Sequence, residues 1–347
     1  MLTSQTIKDR AYELGFDRCG VAPAAGFPEL ARLREWIDRG YAGEMAYMGR
    51  TADRRADVRR IQPSARSVIA TATNYNVDRP YSTEARDRSR ARIARYAWGE
   101  DYHDLLRRRL DALLAWMREQ AEGPFEARVY ADTGPVQERV YAQYAGVGWI
   151  GKNTCVIDPE LGSWILLGEI ICSLPLEPDT PALDQCGTCA LCLDACPTGA
   201  IVEPWVLDAT RCLSYLTIEL KGAIPEAPRE ALGAHVFGCD ICQDVCPWNA
   251  APPVSPDPAW QPRPALDQPR LVDLWRRSDE ELHAAVAGGP LTRPKLHGLR
   301  RNLAVAMGNS GDEAAVEALS EPRTDPSIEE PLVAEHVDWA LRRLRGR

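Results

Sequence analysis

The sequence predicts a multidomain chain, α/β and α+β in its first half and all-α at its end, on three observations. Helical and strand patterns alternate over residues 1–175. Eight of eleven cysteines are packed between Cys186 and Cys246. After seven prolines between Pro252 and Pro269, only helical patterns follow. Alternating elements of the first kind pack helices on a sheet. The proline run reads as a semi-rigid connector over 251–269.

Taken in order, Ile7, Ala11 and Leu14 recur at helical spacing behind Ser4, an N-cap residue type, and Gly15 stops that helix. Arg18 to Pro23 reads as a short strand, Leu30 to Arg39 as a helix ended by Gly40, and Ser67 to Thr73 as a buried strand. Asp101 to Gln120 carries Leu106, Leu110, Leu113 and Met117 on one stripe. Phe125 to Ala131 is a strand running into Asp132-Thr-Gly-Pro135, and Pro135 suits the first turn of a helix over Val136 to Ala145. Thr154 to Asp158 and Ser163 to Cys172 are expected to pair as a hairpin across Pro159 to Gly162. Cys212 to Lys221 has a helical pattern. Beyond the connector, helices are expected over Val272 to Val286, Lys295 to Gly308, Asp312 to Leu319 and Ile328 to Leu344, the middle two resembling one HEAT-type pair.

The cysteine spacing carries the most chemistry. Cys186, Cys189 and Cys192 stand at three-residue steps, and Cys196 follows just before a proline. Cys239, Cys242 and Cys246 before Pro247 repeat the pattern without its first member, for which Cys212 substitutes. In two-cluster bacterial ferredoxins the cysteine before proline ligates the other cluster. The sums then close on two [4Fe-4S] sites: Cys186, Cys189, Cys192 and Cys246 for one, and Cys239, Cys242, Cys212 and Cys196 for the other. Structural zinc also uses Cys-x2-Cys pairs, and disulfides are the other alternative. A ferredoxin-like module is therefore expected over 176–250, between an α/β domain (1–175) and a helical domain (270–347). Cys19, Cys155 and Cys172 read as small buried apolar residues.

Composition narrows the setting. No apolar run reaches the length of a membrane-spanning helix, and the first ten residues hold no signal-like apolar stretch. Eight thiols poised for clusters then imply a reducing cytoplasm. The net charge of −9 is distributed unevenly, with arginines clustered over 50–66 and 86–95, at Lys295, Arg300 and Arg301, and in the C-terminal tail. An acidic chain with such runs can still present a basic face to nucleic acid.

Clusters move electrons one at a time, so the large N-terminal domain implies a second centre that they feed. Arg95 to His103 is dense in aromatic and titratable residues, Asp132 follows a strand, and Lys152-Asn153 sits in a glycine-flanked loop. Asp132 also fits a plain helix cap, and His103 a helix surface. The Gly146 to Gly151 loop lacks the strand–turn–helix setting of a dinucleotide fingerprint. No Asp-x-His-x-x-Gly run is present, so no motif for cobalamin held by histidine occurs.

These pieces together resemble the epoxyqueuosine reductases, cobalamin-dependent enzymes of the last step of queuosine synthesis in tRNA. The resemblance rests on Arg95 to His103, Tyr130 to Pro135, Gly148 to Thr154, the cysteine pattern, Leu213 to Glu219 and Gly298 to Asn302. It implies a base-off cob(II)alamin without histidine ligand, with Asp132 as proton donor. Arg55, Arg95, Tyr96, Lys152, Asn153, Ser214 and Asp240 would then form the cobalamin and substrate shell. It also implies a monomer that binds a tRNA anticodon stem-loop through its basic stretches and takes electrons from a flavodoxin or ferredoxin system. A ferredoxin-like carrier subunit and a reductive-dehalogenase-type enzyme are the alternatives.

Anaerobic protein is expected to contain about eight iron and eight sulfide per chain. Replacing Cys212 should remove one cluster and leave the other, as elemental analysis and absorption spectra will register.

Overall fold

The computed structural model describes residues 2–346. Its N-terminal half is built on four strands: β1 (Arg18–Pro23), β2 (Ser67–Asn74), β3 (Ala127–Tyr130) and β4 (Ile165–Cys172). Their order is β1-β2-β4-β3, and every pairing is antiparallel. The expected α/β domain is thus α+β in its strand directions. β2 is buried along its whole length because it lies between two cores. Val68, Ala70 and Ala72 face one of them, with Val140, Tyr141 and Ala142 of α3 (Glu138–Tyr144). Ile69 faces the other, with Ile7 and Ala11 of α1 (Ser4–Glu13) and Leu106, Leu110 and Leu113 of α2 (Tyr102–Gln120). The period of two that splits a strand between faces thereby makes a helix–sheet–helix sandwich.

Local details depart from the sequence reading. The N-cap of α1 is Thr3, which forms a capping box with Thr6, and not Ser4. The expected hairpin reduces to a single bridge between Asp158 and Gly162. Val156–Ile157 pairs instead with Trp149–Ile150, while β4 enters the main sheet. Trp164, fully buried against Tyr75 and Tyr81, stands where the two diverge. Helix α3 starts at Glu138, and its N-cap position is Gln137 with no side-chain cap, so Asp132 caps nothing.

A third core joins the end of the chain to the cysteine-rich region. α4 (Leu213–Ile218) and the strand His235–Phe237 pack with α5 (Leu271–Arg276), α6 (Lys295–Ser310), α7 (Glu313–Ser320) and α8 (Pro331–Arg345). The same strand pairs in parallel with Arg92–Ile93 of the N-terminal half. α6 is buried on all sides from Gly298 to Asn309. At Gly308 an added Cβ would come within 2.8 Å of the Ala340 Cα, so glycine permits the close approach of α8. The proline-rich connector is packed down: Asn74 and Asn76 donate to the carbonyls of Pro252 and Pro253, and Trp260 is buried. No helix among the described residues is long and apolar enough to cross a membrane.

One expectation is overturned here. Arg300 and Arg301, read as part of a basic face, are both wholly inaccessible to solvent. Arg300 donates to the carbonyls of Trp275 and Arg277, and Arg301 to those of Leu216, Leu220 and Gly222. Their guanidinium groups satisfy chain ends that no helix or strand can pair, so they are unavailable to phosphates. Arg301→Ala is expected to destabilise the fold by roughly 3 kcal/mol or more, because it leaves buried carbonyls without donors. Denaturant unfolding checks this.

Candidate active site

Thiols of the two cysteine runs lie close enough to influence one another. The Cys192 thiol is raised by burial and by its neighbours Cys186 and Cys189. Cys246 is pushed up to about 11 by burial, with Cys186 and Cys192 adding to it. Burial likewise raises Cys212, next to Cys196, and Cys239, next to Cys212 and Cys196. Cys242 faces Cys239 and Cys212. Cys196 is the exception: burial opposes its ionisation, but backbone N–H groups, led by Ala200 at 3.2 Å, lower its pKa. Cys246 of the second run thus lies near Cys186 and Cys192 of the first, and Cys196 of the first lies near Cys212 and Cys239. A cavity of about 260 Å³ opens among Cys186, Cys189, Cys192, Cys246, Lys152 and Trp248. Among the described residues no group of three His, Cys, Asp or Glu side chains is placed to hold a metal ion.

Cys155 has more than the packing role read for it. Its thiol bonds to that of Cys242 and lies near Cys246, between the two sets. Nothing in the spacing reveals this, because Cys155 reaches the module from the Gly151 loop.

The polar candidates divide into structural and open groups. Arg95 is buried, donating to the carbonyls of Val77, Arg79 and Pro80 and lying over the rings of Tyr81, Trp98 and Trp164. Its backbone N–H donates to Asp240 at 2.7 Å, and burial still raises that carboxyl to about 7. Lys152 donates to the carbonyls of Gly187 and Cys189, and Asn153 to that of Cys242. Ser214 hydrogen-bonds the Cys212 thiol. Arg95, Asp240, Lys152, Asn153 and Ser214 thus brace the cysteine loops. Arg55 is held by the Val136 carbonyl and the Thr51 hydroxyl. Tyr96 packs edge-on to Tyr102 and against Phe237.

Asp132 lies two residues past the end of β3, in a left-handed backbone conformation (φ 58°). Its carboxylate accepts from the Tyr102 hydroxyl at 2.9 Å and meets His103 Nε2 at 3.1 Å. His103 Nδ1 meets Asp101 at 2.7 Å. The sequence placed all four residues in candidate stretches but gave His103 a surface role. A carboxylic acid can donate a proton near neutrality only if its surroundings raise its pKa. Desolvation does push Asp132 up, but the bonds from His103 and Tyr102 and the charges of His103 and Arg139 outweigh it, and the carboxyl lies below its ordinary value. His103 is held up at about 9: burial opposes its charge, but Asp101 and Asp132 overcome that. At neutral pH the proton of this pair rests on the imidazole. Both ring nitrogens are engaged, so the site offers no free imidazole to a metal.

An antiparallel-sheet domain with an acid–imidazole pair at a strand end, joined to eight thiols in two sets of four, defines a double-cluster iron–sulfur oxidoreductase. Residues 185–249 match the family model of a 4Fe-4S double cluster binding domain, and residues 55–133 match that of "Epoxyqueuosine reductase QueG, DUF1730". The epoxyqueuosine reductase of Xanthomonas campestris is 44% identical over 96% of this chain and 94% of its own. That of Pseudomonas aeruginosa is 44% identical over 98% and 94%. A crystal structure of epoxyqueuosine reductase with an epoxyqueuosine-modified tRNA-Tyr stem loop superposes with a TM-score of 0.87 at 32% identity, covering 98% of this chain and 89% of the other. The chain belongs to the epoxyqueuosine reductase family.

Because the folded His103 pKa lies above the unfolded value of about 6.5, its contribution to stability is complete below that value and is lost as pH rises through about 9. His103→Gln should remove this dependence, and the difference in unfolding free energy between parent and variant across that range measures it.

Proposed function

We infer that the chain is an epoxyqueuosine reductase, reducing epoxyqueuosine to queuosine at the wobble position of a tRNA anticodon. The observation that carries the reading is the Asp132–His103–Tyr102 cluster, which lies within the family-matched stretch and opens at a strand end. Removing an epoxide oxygen as water takes two electrons and two protons. A bound cobalamin, fed by two [4Fe-4S] clusters, supplies the electron chemistry.

The residues present fit these groups. The two sets of four thiols would hold the clusters. The absence of a free imidazole at the Asp132 mouth suits a base-off cobalamin without histidine ligand. In this reading Arg55, Arg95, Tyr96, Lys152, Asn153, Ser214 and Asp240 would form the cobalamin and substrate shell; Lys152 and Asn153 line the cavity beside the cysteines. Asp132 presents its carboxylate to the open side, more than half exposed, and the imidazolium of His103 behind it holds the proton to be delivered to the departing oxygen. The epoxyqueuosine reductase of Bacillus subtilis, 31% identical with a TM-score of 0.86 over 98% of this chain and 90% of its own, has a structure in which an aspartate catalytic loop is swung out of the active site. The loop of Asp132 is the corresponding mobile element in our reading.

The tRNA stem-loop would be gripped by exposed arginines of the N-terminal half: Arg50, Arg54, Arg59 and Arg60, and beyond them Arg86 and Arg88. Phosphate contacts of this kind weaken steeply with salt. The division at 1–175, 176–250, 251–269 and 270–347, a cytoplasmic monomer, and a flavodoxin or ferredoxin donor complete the proposal.

Purified, cluster-loaded protein with cobalamin and a chemical reductant should convert epoxyqueuosine in tRNA to queuosine. Asp132→Asn should keep clusters, cobalamin and tRNA binding and lose about 10²–10⁴ in single-turnover rate, the usual worth of a general acid. Near-normal turnover by that variant would remove Asp132 from the role.

A further inference from the structure

We propose that Glu138 and Glu169 share one proton and together form the latch that positions the Asp132 loop. This rests on the reading of the Asp132–His103 pair as the source of the proton.

Glu169 sits in the middle of β4, opposite Ala70 of β2 and Tyr130 of β3. It is completely buried, and among the described residues no donor reaches either of its carboxyl oxygens. An ionised carboxylate cannot stay in such a place. Its alternation with Ile171 and Leu167 turns it toward α3, whose first residue is Glu138. The two carboxyl groups are close enough for each to shift the titration of the other, and the proposed shared proton supplies a bond between them. Carboxylates only accept, so that bond requires a proton on one of them. Glu138 has a second partner, because its Oε1 accepts the backbone N–H of Asp132 at 2.7 Å. The line is then Glu169 O–H to Glu138 carboxylate, with the Asp132 N–H bonded to the same carboxylate from above.

What the line holds is a backbone that does not hold itself. A non-glycine residue at φ 58° is strained, and the Asp132 N–H bond to Glu138 is what opposes relaxation. The charges around the pair are Asp132 in the loop, Arg139 beside Glu138 on α3, and Arg55 from the Ala52–Arg55 helix; Tyr102 of α2 faces it neutral. β2 contributes Ala70 and β3 Tyr130. With its proton the pair carries one negative charge beside Asp132. Without it, three carboxylates crowd the base of one loop against two arginines, and the loop is driven outward. Burial and the neighbouring carboxylates raise both glutamates, so the proton leaves only above the ordinary carboxylate range. Such a pair titrates as a unit.

The sign for stability follows. The unfolded glutamates release their protons first, so the pair costs stability as pH rises through the ordinary carboxylate range, and the cost levels off once the folded pair has also ionised.

The test uses the cluster-loaded holoprotein. Infrared difference spectra on raising the pH should show loss of one protonated-carboxyl band in the parent. Glu169→Gln should lack that band. Its carboxamide donates to Glu138 at every pH, so the alkaline fall in turnover should move up by roughly one pH unit or more. Glu138→Gln leaves Glu169 protonated throughout, so its difference spectrum should show no loss of the band over the range in which the parent loses it, which keeps the test open if Glu169→Gln fails to fold. Glu138→Ala should exchange the Asp132 amide hydrogen at least about tenfold faster. A parent without the band, loss of that band in either glutamine variant over the parent's range, or an unmoved alkaline limb in folded Glu169→Gln overturns the proposal. Infrared and exchange need no turnover. Absent turnover with the band and the exchange effect intact therefore overturns the reading of function and leaves the latch standing.

Discussion

Arg95 ties the chemistry of the site to the fold. Its guanidinium closes the Val77–Pro80 carbonyls among three aromatic rings, and its backbone N–H ends on Asp240, between Cys239 and Cys242. One buried residue thus fixes the sheet domain to a cysteine loop. The loop needs such a tie because its segments are short and mostly irregular, with too little apolar surface to fold alone. Lys152 and Asn153 repeat the device from another edge, bonding the carbonyls of Gly187, Cys189 and Cys242. The module therefore borrows its rigidity from both neighbours, and the positions of the thiols follow from contacts far from them in sequence.

The cysteine runs were legible in the sequence because ligation imposes spacing on the chain itself, whereas a count of eight divides into two fours with or without crossing. The strands and the long helices were legible because burial imposes periodicity. What escaped was set by tertiary contacts. Arg300 and Arg301 look like a basic patch until α6 is seen to be buried on every side. Their partners are carbonyls in the 216–222 stretch and near Trp275, and Asn302 adds bonds to the carbonyls of Thr217 and Val236. The runs Leu213 to Glu219 and Gly298 to Asn302, which the sequence showed only as separate motifs, are two halves of one polar junction. Strand direction also escaped, because hydrophobic patterns do not distinguish antiparallel neighbours from parallel ones.

The acid site shows the same limit in electrostatic form. From sequence, a carboxyl expected to donate a proton near neutrality must be buried enough to keep it. In the fold, Asp132 stays open to solvent on one side and takes hydrogen bonds from Tyr102 and His103, both of which favour its charge. The proton requirement passes to the imidazole, which Asp101 and Asp132 jointly hold cationic. A neutral donor is thereby replaced by a charged pair of zero net charge, which costs less to keep at a wet, open mouth than at a sealed one.

Charge then explains why the carboxyls are arranged in depth. Asp132 is at the surface, bonded to an imidazolium; Glu138 is below it, bonded to a peptide N–H; Glu169 is deepest and has no donor but Glu138's neighbourhood. Each step inward removes one means of supporting an ionised carboxylate. The outer group is ionised by its cationic partner, and the inner pair stays partly protonated because nothing cationic bonds it directly. Arg55 is held by the Val136 carbonyl and Thr51, and burial lowers its own pKa, while Arg139 donates to Thr154. A cation bonded to Glu138 would ionise the pair and remove its dependence on a shared proton. Its absence leaves the hold on the Asp132 backbone sensitive to pH, while the Asp132–His103 pair above keeps its charge state across neutrality.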